Sequence, residues 1–300
     1  MGGSELEGVL MDHASVRAEV PLGPMMHLRI GGAAEWFVEP FDEQGVCATV
    51  SACRERGLPL RILGGGSNVL VADAGVRGVV MHLGNLSRMQ REGRRVTVGA
   101  GVTMPSLLRS TREAGLAGLE KLTGIPAEVG GAVAMNAGTR DGETFEHLVS
   151  LTVVAPDGRL RILGEGDFQP RYRNGGLGEA VVVQATFELE EDRSDAIFAR
   201  FSASLQKRNA SQPVTQRSVG CVFQNPEGDA AGRLIQEAGC KMLRRNGVTV
   251  SEKHANYFVN DDTGTAADFL ALMDDVRGRV AAEFGVELHA EVKFWGFDDR

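Results

Sequence analysis

Two glycine-rich, almost uncharged segments constrain this chain more than any other feature. The first, Leu63-Gly64-Gly65-Gly66-Ser67-Asn68-Val69-Leu70-Val71, sets three consecutive glycines between two short apolar runs. The second is Gly124-Ile125-Pro126-Ala127-Glu128-Val129-Gly130-Gly131-Ala132-Val133-Ala134-Met135-Asn136-Ala137-Gly138. Without Cβ atoms, neighbouring backbone N–H groups can converge into a nest that suits phosphate oxygens. The first segment is not a P-loop, because no Gly-Lys-Ser/Thr follows, and Val69 stands where G-x-G-x-x-G needs its third glycine. Alone it is a weak signal, and a tight turn between secondary elements is the plainer reading. Together, in neighbouring subdomains, the two segments could grip a diphosphate from both sides, with a pair of glycine-rich hairpins as the plainer alternative. Glycine is 39 of 300 residues, about twice the usual ~7%.

Neutral amides are an apt way for this chain to hold an anion, because Lys plus Arg number 32 against 40 Asp plus Glu, a net charge of −8. With no long run of one sign, that balance argues against a nucleic-acid or anionic-membrane partner. Cys47, Cys53, Cys221 and Cys240 form no C-x-x-C pair, so free thiols are expected and no metal site. The start lacks a basic region ahead of an apolar core, and the uncharged stretches around both glycine segments fall short of the ~18 residues of a membrane span. A cytoplasmic protein is expected.

Helix punctuation from Asp42 to Gly57, strand-like runs Leu60–Leu63, Val69–Val71, Gly78–Leu83 and Arg95–Val98, and a helix from Thr103 mix both element types. Pro156-Asp157-Gly158 marks a hairpin between Val149 and Leu163, and Val181–Leu189 reads as another strand. The acidic stretch 190–195 suggests a domain boundary. Beyond it the sequence predicts helices at Asp229–Ala238 and Thr265–Phe284 and strands at Ala255–Asn260 and Val286–Trp295. Apolar stripes on that last helix and strand are core faces.

Among polar candidates, Cys221 in Gly220-Cys221-Val222-Phe223-Gln224-Asn225-Pro226 is either a small buried hydrophobe or a proton donor. Arg173 precedes a glycine pair and reads as a surface arginine. Glu291, between His289 and Lys293 in alternation, reads as part of a solvated face.

Eight motifs occur in one order: Arg29-Ile30-Gly31-Gly32-Ala33 with Pro40, the first glycine segment with Asp73 and Gly75, the second glycine segment, Tyr172-Arg173, Gly220–Pro226, Ala231-Gly232-Arg233-Leu234-Ile235, Ser251-Glu252-Lys253-His254-Ala255-Asn256, and Glu291-Val292. In that order they resemble the MurB flavoenzymes, the UDP-N-acetylenolpyruvoylglucosamine reductase family, in its shorter form without the tyrosine-loop insertion. The resemblance implies an α+β protein: a two-subdomain FAD-binding fold (vanillyl-alcohol-oxidase/PCMH-like) plus a C-terminal α/β substrate-binding domain. The expected division is 15–83 and 84–194 for the FAD-binding subdomains and 195–300 for substrate.

By the same resemblance, non-covalent FAD is expected against Ile30, Gly31, Gly64, Gly65, Gly66, Ser67, Asn68, Gly124, Ile125, Gly130, Gly131, Asn136, Ala137 and Gly138. NADPH is the co-substrate, and UDP-N-acetylglucosamine enolpyruvate is reduced to UDP-N-acetylmuramate for peptidoglycan synthesis by a monomer. Tyr172, Arg173, Arg208, Gln212, Asn225 and His254 are implied for substrate, and Arg173, Cys221 and Glu291 for catalysis. A guanidinium suits the substrate carboxylate, and a protonated Glu291 would support enolate charge. Cys221, where the family usually carries Ser, would give the proton. Gln224 and Met26 also depart from the family's usual Lys and Thr. Another flavoprotein on the same scaffold, which often tethers flavin through His or Cys, is opposed by the absence of His from both glycine segments. A nucleotide-sugar binder without chemistry is favoured only by the Cys221 substitution.

Overall fold

Asp42 caps helix Glu43–Arg56 by accepting the Gly45 N–H at 2.9 Å, and Gly57 ends it in the left-handed conformation. The chain then enters strand Leu60–Leu63, which pairs in parallel with Val76–His82 and sets Leu63 opposite His82. The first glycine segment therefore leaves a strand whose last residue is fixed in register.

The computed structural model describes residues 3–139 and 141–297, which divide into two units. Unit 1 takes residues up to Glu19, Glu35–Gly65 and Gly78–Lys207; unit 2 takes Val20–Ala34, Gly66–Arg77 and the residues from Arg208. The break comes late in helix Ser194–Ser211, beyond the acidic stretch that the sequence suggested. Ile197 is buried, and Arg200 donates to Glu120 at 2.7 Å and to Asp192 at 2.8 Å, which binds most of that helix to unit 1.

Unit 1 holds a four-stranded sheet in the order Ala14–Pro21, Ala33–Pro40, Val76–His82, Leu60–Leu63. Its second sheet has five strands, in the order Leu160–Gly164, Leu148–Val154, Val181–Glu188, Arg95–Gly99, Met89–Glu92, all antiparallel. The predicted hairpin about Asp157 forms its edge. Helix Met104–Glu113, capped by Thr103, buries Met104, Leu107 and Leu108 in the core of the second sheet.

Unit 2 is built on an antiparallel sheet in the order Arg217–Cys221, Tyr257–Asn260, Val248–Val250, Arg244–Arg245. Helix Ala266–Phe284 buries Phe269, Met273, Val276 and Val280, as its stripe predicts. The Phe269 and Phe258 ring centroids lie 5.3 Å apart. Asp73 caps this helix from a distant part of the chain, accepting the Ala266 N–H at 2.9 Å and the Ala267 N–H at 3.2 Å.

Two elements differ from expectation. Only Lys293–Trp295 of the predicted last strand is regular, paired in parallel with Val69–Val71. The residues before it keep the buried alternation of Leu288 and Val292 but make single bonds, such as Gln224 N–H to His289 carbonyl at 2.9 Å. The second glycine segment is not all loop: Val129–Ala134 forms a short helix, because Val129, Ala132 and Val133 bury a common face. No helix among the described residues is long and apolar enough to cross a membrane.

Candidate active site

In unit 1 the two glycine segments meet. A Cβ built on Gly64 would stand 3.7 Å from the Gly131 Cα, and one on Gly65 would stand 3.3 Å from the Pro126 carbonyl oxygen. A Cβ on Gly131 would meet nothing within 4 Å. The facing surfaces are thus bare backbone beside open space, and side chains at these positions would fill it. The second segment is held by backbone bonds from Met104 N–H to Ala127, Val129 N–H to Val102 and Gly130 N–H to Ala100, each 2.8 Å. Bare backbone of this kind suits a diphosphate.

Asn136 and Ala137 serve the segment's own shape. Their N–H groups donate to Val133 and Ala132, and Asn136 is buried, donating through Nδ2 to Glu143 Oε2 at 2.7 Å and to the Arg171 carbonyl at 3.2 Å. Ile125 packs against the core, and Gly138 bridges to Glu143. The Asn136 bond also fixes the turn at Arg171–Asn174, which carries Tyr172 and Arg173. Arg173 has φ 56°, unusual for a non-glycine residue, and its guanidinium carbon lies 4.8 Å from the Tyr172 ring centroid.

In unit 2 the first glycine segment continues. Gly66 (φ 64°) turns over Met26, and a Cβ there would come 2.7 Å from the Met25 carbonyl and 3.1 Å from Met26 Cε. Met26 is buried, so its departure from the family pattern packs beneath this turn. Ile30 is buried and Gly31 packs on Val71, while Ser67 and Asn68 lead into Val69–Val71. Asn68 Nδ2 donates to the Glu291 carbonyl at 3.3 Å.

Cys221 ends strand Arg217–Cys221 opposite Tyr257. The next residue, Val222, accepts the Glu291 N–H at 2.8 Å, so Glu291 is fixed directly beside the Cys221 backbone. Asn256 clamps the same segment, accepting the Phe223 N–H at 2.9 Å and donating to its carbonyl at 2.7 Å. Tyr257 is buried and donates to Gln212 Oε1 at 2.9 Å. Burial first, then the nearby Cys221 and Glu291, push its phenol upward, while Arg208 opposes them. Among the described residues Arg208 Nε is buried without a hydrogen-bond partner.

Comparisons with known proteins match residues 34–164 to the FAD binding domain family and residues 212–295 to the C-terminal domain of UDP-N-acetylenolpyruvoylglucosamine reductase. The reductase of Moorella thermoacetica is 42% identical over 277 residues, covering 92% of each chain. That of Heliobacterium modesticaldum is 44% identical over 273 residues, 89% of this chain and 87% of its own. This chain belongs to the UDP-N-acetylenolpyruvoylglucosamine reductase family. The crystal structure of MurB from Thermus caldophilus superposes with a TM-score of 0.83 at 35% identity, covering 94% of this chain and 99% of that one. Berberine bridge enzyme, at 14% identity and a TM-score of 0.53 over 64% of this chain, shares the FAD-binding fold.

As a reductase of this family the chain is a flavin-dependent oxidoreductase with FAD as cofactor, on the PCMH-like fold with an added C-terminal domain. Of the anticipated residues, unit 2 brings together Cys221, Glu291, Arg208, Gln212 and Asn68, and unit 1 holds Arg173 and Tyr172. His254 accepts the Asn256 N–H at 3.3 Å and lies 4.9 Å from Tyr257 between ring centroids. Asn225 accepts the Ala231 N–H at 3.0 Å at the start of helix Ala231–Glu237, and exposed Gln224 donates to the Ala290 carbonyl at 3.2 Å. Sequence reasoning missed Tyr257 and Asn256, although Asn256 stands within one of the quoted motifs. Asn256's neighbour Tyr257, one of two tyrosines in the chain, was the available signal.

Proposed function

We propose that this reductase uses NADPH and FAD to convert UDP-N-acetylglucosamine enolpyruvate to UDP-N-acetylmuramate, a peptidoglycan precursor, as a cytoplasmic monomer. FAD, when bound, carries hydride from NADPH to the enolpyruvyl methylene carbon. Hydride addition leaves negative charge on the adjacent carbon and its carboxylate, and completion needs a proton at that carbon. In this reading Cys221 Sγ supplies the proton. Glu291 donates a hydrogen bond as charge develops, and Arg173 holds the substrate carboxylate. Arg208 and Gln212, with Tyr172, Asn225 and His254, hold the rest of the substrate.

Gly64–Gly65 and Gly130–Gly131 would hold the FAD diphosphate, with Gly124, Ile125 and Gly138 shaping the second wall and Asn136 and Ala137 bracing it. Ile30, Gly31, Gly66, Ser67 and Asn68 complete the flavin contacts. In this reading residues 15–83 and 84–194 serve as the two FAD-binding subdomains and residues 195–300 as the substrate domain, although by packing residues 20–34 and 66–77 group with the latter and residues 195–207 with the former.

The observation that carries this reading is the bond from Glu291 N–H to Val222 carbonyl, 2.8 Å, which holds the two expected proton-handling residues on one backbone frame. The test is NADPH oxidation by purified protein with added FAD. Consumption that depends on the enolpyruvyl substrate and yields UDP-N-acetylmuramate supports it. Flavin that NADPH reduces but this substrate does not reoxidise contradicts it.

A further inference from the structure

Between the two glycine segments of unit 1 stands a titratable pair that the reaction does not use. His82 ends strand Val76–His82 opposite Leu63, the residue immediately before Gly64. Its Nε2 lies 3.3 Å from Glu128 Oε1, with the side chains only 19% and 12% exposed. Glu128 in turn sits against the first segment: Cβ atoms built on Gly65 and Gly64 would come 3.5 Å from the Glu128 N and 3.9 Å from its Cβ. It immediately precedes Val129-Gly130-Gly131. One histidine, on the strand paired with the one that feeds the first segment, thus reaches a residue within the second.

Glu39, on strand Ala33–Pro40, brings Oε1 to 3.6 Å from His82 Nδ1, just beyond hydrogen-bond length, and Nδ1 has no other partner. Arg17, from strand Ala14–Pro21, pairs with the other oxygen of Glu39 at 2.7 Å. The Phe37 ring stacks at 6.1 Å, and the imidazole covers Gly84. Glu39 thus lies between Arg17 and His82 and adds to the hold on the His82 proton, whereas Glu128 has His82 alone among the ion pairs of the described residues.

We propose that His82 and Glu128 form a proton-dependent brace across the FAD cradle, in which the imidazolium neutralises a carboxylate that would otherwise repel the FAD diphosphate. The proposal rests on the placing of that diphosphate between Gly64–Gly65 and Gly130–Gly131. The hydrogen bond to Glu128 is the largest influence holding the His82 proton more tightly than usual, against the opposing effect of burial. A bound dianion adds to that hold, so FAD binding takes up a proton and affinity falls as pH rises through the His82 titration. Each unit by which FAD raises that titration changes the dissociation constant about tenfold across the window.

The experiment is FAD binding to apoprotein, followed by flavin fluorescence at constant ionic strength from about pH 6 to about pH 9, either side of the ordinary histidine range. Wild type should weaken about tenfold over that span. Glu128→Gln, which keeps an acceptor for neutral His82 and removes the charge, should bind at high pH as tightly as wild type does at low pH, with its pH dependence moved to lower pH because His82 has lost its strongest hold while Glu39 remains. Structural damage would not produce such tightening. His82→Asn, which removes the titrating group, should be flat, at the weak limit. Gly131→Val serves as the cradle control and should abolish binding. A Glu128→Gln profile that coincides with wild type in both affinity and pH position, with Gly131→Val still inactive in binding, would overturn the brace alone. Full FAD binding by Gly131→Val would overturn the placement of the diphosphate and the brace with it.

Discussion

The side-chain amide of Asn68, in the first glycine segment, donates to the backbone carbonyl of Glu291 across 3.3 Å and 223 residues of sequence. The Asn68 carbonyl accepts the Lys293 N–H at 3.0 Å, and parallel pairing continues through Trp295. The stretch expected to touch flavin and the stretch carrying the expected acid are therefore neighbouring strands in unit 2. Asn68→Ala should weaken FAD binding and also slow flavin reoxidation by the enolpyruvyl substrate. Loss of one neutral hydrogen bond costs about 1 kcal/mol, or about fivefold. Anaerobic stopped-flow with saturating FAD separates the two effects, and unchanged reoxidation would show that the Glu291 frame does not need this bond.

Arg173→Lys and Glu291→Gln should leave flavin reduction by NADPH largely intact while slowing reoxidation by substrate. Both residues are assigned to charge that appears only in the second half-reaction, and losing one such donor costs about 100- to 1000-fold. Equal losses in both half-reactions would mean the roles are misassigned.

Asp73 makes no contact assigned to the chemistry, yet it accepts two N–H groups at the start of helix Ala266–Phe284. Asp73→Ala should lower stability by about 1 kcal/mol, because Thr265 still caps the helix through the Asp268 N–H. Urea unfolding should show a lower midpoint with an unchanged slope. A midpoint equal to wild type would show that Thr265 alone suffices.

Local punctuation was readable in the sequence because the physics is local. Asp42 and Gly57 bound one helix, Thr103 and Thr265 start two others, and Asp157 turns a hairpin. The packing of Gly64 on Gly131 and the links from Asn68 to Glu291 and Asp73 to Ala266 join residues far apart, and no periodicity announces them. The same holds for the sharing of residues 20–34 and 66–77 with the C-terminal unit. Alternation placed Glu291 on a polar face and gave no sign that its N–H and carbonyl are both bonded within the frame beside Cys221. Tyr257 escaped notice because a buried tyrosine resembles core until its hydroxyl partner, Gln212, is known.

The account turns on Cys221 as the proton donor, and flavin reoxidation by the enolpyruvyl substrate as a function of pH tests it most directly. A thiol titrates from a reference of ~8.5, whereas a serine hydroxyl stays protonated throughout the accessible range. Burial pushes the Tyr257 phenol and the Cys47, Cys53 and Cys240 thiols up, Cys53 to about 11, so these groups are poorly placed to supply the same limb. Wild type should lose reoxidation rate on the alkaline side, Cys221→Ser should keep appreciable rate without that limb, and Cys221→Ala should retain FAD and its reduction by NADPH while losing most reoxidation. An identical alkaline limb in wild type and Cys221→Ser, or full reoxidation in Cys221→Ala, would contradict the assignment.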